Sequence, residues 1–222
     1  VKLNGTLRRD PETPVHFGKD RIEIDGQLLA ERSKIYLLLN KPRGVVTTAA
    51  DEKGRDTVYA YLPEGLPWIA PVGRLDKASE GLLLLTNDSE WATRITAPET
   101  HLEKTYHVQI SAIADEAILQ ALRNGIRASD GEFLLVKNVR MLRSGEHNSW
   151  LEIVLDEGKN RHIRRMLEGL KMEVLRLVRV AIGPLALGDL AKSATRALEP
   201  EEKQALDRAM RSRSHAPASS VR

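Results

Sequence analysis

Residues 73–88 read Gly73-Arg74-Leu75-Asp76-Lys77-Ala78-Ser79-Glu80-Gly81-Leu82-Leu83-Leu84-Leu85-Thr86-Asn87-Asp88. Leu82 to Leu85 is a short continuous apolar run, which predicts a strand buried on both faces. Ahead of it, Gly73 and Gly81 bracket a charged turn, where backbone freedom is useful. The turn therefore sets one carboxylate, Asp76, at the lip of a rigid strand, a geometry that suits catalysis. The plainer reading makes Asp76 a turn or cap residue that bonds nearby backbone amides. Spacing alone favours this second reading.

Upstream, Ile35 to Asn40 predicts another buried strand, ending at Lys41-Pro42-Arg43-Gly44. Residues 47–68 are polar and turn-rich, and Ile69-Ala70-Pro71-Val72 leads into the Asp76 turn. Downstream, Asp88 or Ser89 caps a helix running to about Ile95, and Pro98 stops it. Lys104 to Ile110 alternates as a strand with Tyr106, Val108 and Ile110 on its buried face. Asp115 to Asn124 sets Ile118, Leu119 and Leu122 on one helical face, with Gly125 as its stop. Residues 131–142 and 150–155 are β-rich, joined by a polar loop from Arg143 to Ser149. A basic helix runs from about Asn160 to Leu167, and a strand from Met172 to Ile182. Glu199-Pro200-Glu201-Glu202 opens a last helix, with Pro and acids in its first turn. The Ser, Arg, Ala and Pro composition beyond Arg211 predicts a disordered tail.

Strands and helices thus mix without βαβ alternation. The fold class is α+β, with a mixed, largely antiparallel central sheet flanked by helices. A small N-terminal β extension precedes it. There, Val1 to Gly5 turns at Asn4-Gly5 and Arg21 to Gly26 turns at Asp25-Gly26, both hairpin signals. Glu31-Arg32-Ser33 reads as a short linker.

Composition narrows the chemistry. The chain has 222 residues, 41% hydrophobic and 29% charged, enough for one good-sized domain with a core. Net charge is only +3, so nucleic-acid contacts must come from local basic clusters. At 4% aromatic content, a multi-aromatic platform for single strands is not expected. There is no cysteine, which excludes disulfides and thiol catalysis and is compatible with a cytoplasmic setting. The His residues show no metal-ligand spacing, so no metal or other cofactor is expected. No apolar run approaches the roughly 20 residues needed to span a bilayer, and the N-terminus has no signal pattern. The chain opens on Val1 rather than Met, as a fragment does.

Two further segments carry candidate chemistry. Glu103-Lys104-Thr105-Tyr106 starts a strand with Tyr106 on its apolar side. Core packing with a tethered hydroxyl is the plainer account of that tyrosine. Glu157-Gly158-Lys159-Asn160-Arg161-His162-Ile163-Arg164-Arg165-Met166-Leu167 crowds cations at a helix start after a glycine. Arg161, Arg164 and Arg165 fall on adjacent faces, and Ile163 and Leu167 form a docking stripe. This is either a solvated basic helix or a phosphate-binding one. His107 and His162 are titratable neighbours whose ordinary reading is structural.

Together, in this order, these three segments resemble the motifs of the pseudouridine synthases that modify ribosomal RNA. The likeness spans about residues 35–198. It implies an isomerase with an α+β fold and its active site in a basic cleft. Asp76 is implied as the catalytic residue, Tyr106 as packing on the target base and aiding proton transfer, and Arg164 as the ion-pair partner of Asp76. Arg74, Lys104, Lys159, Asn160, Arg161 and Arg165 are the candidate RNA-binding residues. The two N-terminal β pieces resemble the C-terminal half of an alpha-L type RNA-binding domain, whose two preceding basic helices are absent.

The expected division is 1–32 for that piece, 33–198 for the catalytic domain and 199–222 for a C-terminal helix and tail. The expected partner is ribosomal RNA, free or in a subunit precursor, with no membrane and a monomeric protein. Two rival classes remain. One is a non-catalytic RNA-binding or ribosome-assembly protein. The other is a different carboxylate enzyme, such as a glycosidase, for which Glu80 is the only nearby second acid, or a nucleotide hydrolase.

Overall fold

The computed structural model describes residues 1–16, 19–29 and 33–213, and the chain divides into two compact units, Val1–Lys34 and Ile35–Arg222. The linker expected at Glu31-Arg32-Ser33 lies largely outside the described residues, as does the tail from residue 214.

The first unit is a four-stranded antiparallel sheet ordered Thr6–Leu7, Lys2–Leu3, Ile22–Ile24, Gln27–Leu28. Both of its hairpins turn at the predicted dipeptides. Asn4 and Gly5 have φ of 51° and 81°, and Asp25 and Gly26 have 51° and 79°. Two consecutive positive φ values define the turn that matches strand twist, which is why Asn-Gly and Asp-Gly stand there. The Asn4 side chain accepts from the Arg21 amide (2.8 Å) and donates to Asp20 (2.9 Å), tying the two hairpins together.

The second unit is built on one long mixed sheet. Its principal strands are β1 (Tyr36–Lys41), β2 (Glu80–Thr86), β3 (Lys104–Ile110), β4 (Asn138–Ser144), β5 (Ser149–Leu155), β6 (Val174–Ile182) and β7 (Thr195–Ala197). They lie in the order β4-β5-β3-β6-β2-β1-β7. Every pair is antiparallel except β6 with β2. Among the described residues, four α-helices flank the sheet: α1 (Ser89–Thr96), α2 (Glu116–Asn124), α3 (His162–Gly169) and α4 (Pro200–Arg213).

Strand β2 lies buried on both faces, as its composition predicts. Leu82, Leu83, Leu84 and Leu85 are each 0% exposed. Alternation then sends them into two different cores. Leu82 and Leu84 pack with Trp91 and Ile95 of α1 and Leu206 and Met210 of α4. Leu83 and Leu85 pack with Val45, Val58, Ile69 and Leu75 from the irregular segment before the strand. Burial of this kind contributes about 2 kcal/mol per leucine side chain, so β2 is the rigid spine beside which the Asp76 turn stands. A third core joins β3, β5 and β6 to α2 and α3, and Tyr106 packs against both it and the β2 core.

The elements depart from the sequence reading mostly at their ends. α3 begins at His162, because Arg161 takes a left-handed conformation (φ 48°) and closes an entry loop instead of continuing the helix. The loop expected over Arg143–Ser149 is shorter, with β4 and β5 running up to a turn closed by Gly145 N–H donating to the Asn148 carbonyl (2.8 Å). Phe133–Leu134 pairs with Ile126–Arg127 in a separate small sheet.

Candidate active site

The Asp76 turn is held through its own backbone. The Ser79 amide donates to the Asp76 carbonyl (2.9 Å), closing the turn. Thr47 Oγ1 donates to the Leu75 carbonyl (2.8 Å), and the Gly44 amide to the Lys77 carbonyl (2.7 Å). Arg164 Nη2 donates to the Ala78 carbonyl (3.0 Å). The Lys41 ammonium reaches the carbonyls of Pro42 (3.1 Å), Asp76 (3.2 Å) and Ser79 (2.9 Å). Each carbonyl from Leu75 to Ser79 is thus occupied, while no hydrogen bond or close ion pair among the described residues engages the Asp76 carboxylate. The plain cap reading is therefore not what the turn does: its backbone is satisfied by others, and its carboxylate is left for something else.

Lys41 is a costly device. It is 0% exposed, and burial pulls its pKa down to about 8 against the attraction of Asp76 and Glu80. Three carbonyl acceptors compensate its ammonium, which is how a buried lysine is tolerated.

The strand after the turn is seated by Gly81. A Cβ there would lie 2.3 Å from the Arg179 carbonyl oxygen, and its φ is +100°. Only glycine lets β2 approach β6 this closely in that conformation. Gly81 and Arg179 are register partners in the parallel pair.

Asp76 opens on a cavity of about 300 Å³ whose wall also includes Tyr106, Lys104, Arg179, Arg161 and Arg74. Leu155, Ile163, Leu177 and Ile182 supply its apolar lining. Lys104 has its pKa lowered by burial and by Arg179 nearby, opposed by Asp156. Arg74 and Arg161 are exposed and make no side-chain hydrogen bond or ion pair among the described residues. A carboxylate, a tyrosine, apolar walls and unpaired cations can accept a flat polar ring carried on an anionic chain.

The other predicted residues are placed differently. Arg164, expected to pair with Asp76, donates to the Ala78 carbonyl instead and makes no hydrogen bond or ion pair with the Asp76 carboxylate, although it lies close enough to feel its charge. Its pKa is lowered by burial and by Arg161, and its Nε has no hydrogen-bond partner. Arg165 is turned to acids, donating to Asp130 (2.5 Å) and Glu132 (2.7 Å), and does not line the cavity. Lys159 lines it but stands between Glu157 (3.1 Å) and Glu132 (3.4 Å). Asn160 lines it as part of the entry loop of α3. His107 is 3.5 Å from Glu152, away from the cavity. His162 is buried in the cavity wall, with its pKa lowered by that burial.

Sequence reasoning missed Lys41, Thr47 and Arg179. A lysine closing the run Leu37-Leu38-Leu39-Asn40 and an arginine within the β-rich run Val174–Ile182 were the available signals, since a cation inside an apolar strand needs a partner.

Glu80, the candidate second acid of a glycosidase, is also accounted for. Burial alone would raise its pKa, but a bidentate bond from Arg176 (3.0 Å each) and Lys192 at 3.5 Å bring it below the usual carboxylate value. A carboxylate held ionised cannot serve as the general acid that glycoside cleavage needs.

This combination of sheet, turn and cavity coincides with a known family. Residues 35–169 match the RNA pseudouridylate synthase family. The chain belongs to that family and is an RNA pseudouridine synthase, an isomerase. It is 36% identical over 207 residues to ribosomal large subunit pseudouridine synthase B of Bacillus subtilis, covering 93% of this chain and 84% of that protein. It is 38% identical over 180 residues to the protein of the same name from Haemophilus influenzae, covering 78% of this chain and 50% of that one. A crystal structure of a pseudouridylate synthase superposes with a TM-score of 0.69 at 29% identity, covering 92% of this chain and 87% of that one.

Proposed function

We propose that this protein converts uridine to pseudouridine in ribosomal RNA, with Asp76 as the catalytic carboxylate. The observation that carries the reading is the Asp76 turn itself. Five consecutive carbonyls are fastened, and the one carboxylate is left unengaged in the wall of a cavity shared with Tyr106. Relatives named as ribosomal large subunit synthases support ribosomal RNA as the substrate.

The reaction moves the glycosidic bond from a ring nitrogen of the base to a ring carbon and needs no redox step. A carboxylate can open it as a nucleophile toward sugar or base, or as a base that takes a sugar proton. A stacked uridine must first be flipped out, and Tyr106 offers a face for the extruded base. Arg164 acts as a positioning residue, holding the turn through the Ala78 carbonyl with its guanidinium near enough to the Asp76 carboxylate to attract it. Arg74, Lys104 and Arg161 meet the RNA, with Lys159 and Asn160 at the loop that enters α3. Residues 1–34 add RNA contacts outside the catalytic unit, as a separate small β module can.

Mapping pseudouridines in ribosomal RNA from cells with and without the gene tests this reading. One or more positions should lose the modification when the gene is absent and regain it with the wild-type gene but not with Asp76→Asn. An unchanged map, or rescue by Asp76→Asn, would overturn it and leave a non-catalytic RNA-binding protein.

A further inference from the structure

We propose that Lys104 and Arg179 form a subsite for the carbonyl oxygens of the flipped base, selecting uracil over cytosine and holding the negative charge that develops as the glycosidic bond opens. This rests on the reading of the cavity as the site of uridine isomerisation.

The pair is put together by an irregularity in the sheet. β3 and β6 pair Arg179 with Tyr106 and Ile182 with Lys104, with a register shift between Arg179 and Ala181. Without the shift, residues three apart on β6 would point to opposite faces. With it, Arg179 and Ile182 both line the cavity beside Tyr106 and Lys104. Bulges of this kind re-aim side chains next to active sites.

Both cations are short of partners. Arg179 is 6% exposed and donates through Nε to the Leu82 carbonyl (2.8 Å), but its Nη2 has no hydrogen-bond partner. The Lys104 side chain makes no hydrogen bond or ion pair among the described residues and lies close enough to Arg179 to be repelled by it, with Asp156 as the opposing charge. Two cations set together among Leu155, Leu177 and Ile182 call for an acceptor from outside the protein.

The acceptor this site fits is a pyrimidine carbonyl. Exposed Arg74 and Arg161 are better placed for phosphates, which keep water around them, whereas the apolar lining suits a flat ring. Lysine and arginine side chains are donors only. Uracil presents acceptors at both O2 and O4, but cytosine has a donor amino group at position 4, which would face a donor here. Sites that hydrogen-bond one partner discriminate strongly when the alternative leaves them unpaired. When the N1–C1′ bond breaks with its electron pair left on the base, the charge spreads onto O2 and O4. Bonding of C1′ to C5 then gives a neutral adduct, and departure of the C5 proton to solvent with uptake of a proton at N1 completes pseudouridine.

The test uses the wild type, Lys104→Met and Arg179→Lys, with a ribosomal RNA fragment containing the site mapped for the wild type. Binding is measured with uridine, cytidine or an abasic nucleotide at the target position, and single-turnover rates with the uridine RNA. In both variants the preference for uridine over cytidine should fall toward one, and the rate constant should fall about tenfold or more, with abasic-RNA affinity held within about twofold. Arg179 also supports β2, so Lys104→Met, which removes no side-chain hydrogen bond or ion pair among the described residues, keeps the proposal exposed if Arg179→Lys misfolds. An equal loss of affinity for all three RNAs would assign the pair to a phosphate and overturn the proposal, as would an unchanged preference and rate. Release of the C5 hydrogen by the wild type reports on the parent reading by itself. If that failed while the binding preference followed Lys104, the base subsite would stand without the isomerisation.

Discussion

Asp76 and Glu80 stand four residues apart with opposite fates. Glu80 is ion-paired with Arg176 and Lys192, whereas the Asp76 carboxylate is left open while Lys41, Gly44, Thr47 and Arg164 hold the backbone of its turn. Lys41 makes this dependence measurable. Its pKa of about 8 in the fold lies below the unfolded value of 10.5. Between these limits the unfolded chain holds more protons, so the Lys41 contribution to stability rises with pH through that window and is complete above it. Below about pH 8 both states are protonated and the contribution stays flat. Urea unfolding should therefore show wild-type stability gaining about 2 kcal/mol more than Lys41→Met between about pH 7.5 and 9.5. At neutral pH, Lys41→Met leaves buried carbonyls unpaired and should lose about 2–4 kcal/mol and most of its activity. Identical pH profiles for the two proteins would remove the buried ammonium from the account.

Among the elements, the contact of β2 with β6 is the most sensitive. Gly81→Ala sets a methyl against the Arg179 backbone at a φ of +100°, where no side chain can yield. It should cost on the order of 3 kcal/mol, lowering Tm and activity together. Wild-type stability in that variant would mean the two strands can part without consequence. For α3, the ion pairs separate its cations. Arg161→Ala should reduce the salt slope of RNA affinity by about one unit, whereas Arg165→Ala, already committed to Asp130 and Glu132, should leave it unchanged. Equal slopes for the two variants would place both on the same RNA path. These contrasts also separate what the chain discloses from what it conceals. The leucine run, the Asn4-Gly5 and Asp25-Gly26 turns and the Asp88 cap are local patterns, and each sits where local physics puts it. The clamp on the turn joins Lys41 to Ser79, Thr47 to Leu75 and Arg164 to Ala78 across long sequence separations, and no periodicity encodes such contacts. Arg165 misled for a related reason: spacing put it beside Arg161, and only the tertiary fold brought it to Asp130 and Glu132.

For the molecule as a whole, a net charge of +3 is too small to bind RNA indiscriminately, so the field must be local to the cavity and its rim. The N-terminal unit, Val1–Lys34, is compact in itself and contains none of the residues proposed for chemistry. Removing it should weaken binding to folded ribosomal RNA about tenfold while turnover at saturating RNA changes less than about threefold. Lost turnover in a folded deletion protein would give that unit a catalytic part. The central claim is that the free carboxylate of Asp76 performs the isomerisation. Its most direct test is release of tritium from C5-labelled uridine in ribosomal RNA by purified wild type and Asp76→Asn. Wild type should release it, and Asp76→Asn should bind the same RNA with similar affinity and release it slower by a factor of about 10²–10⁴ or more. Release at a near wild-type rate by Asp76→Asn would contradict the claim.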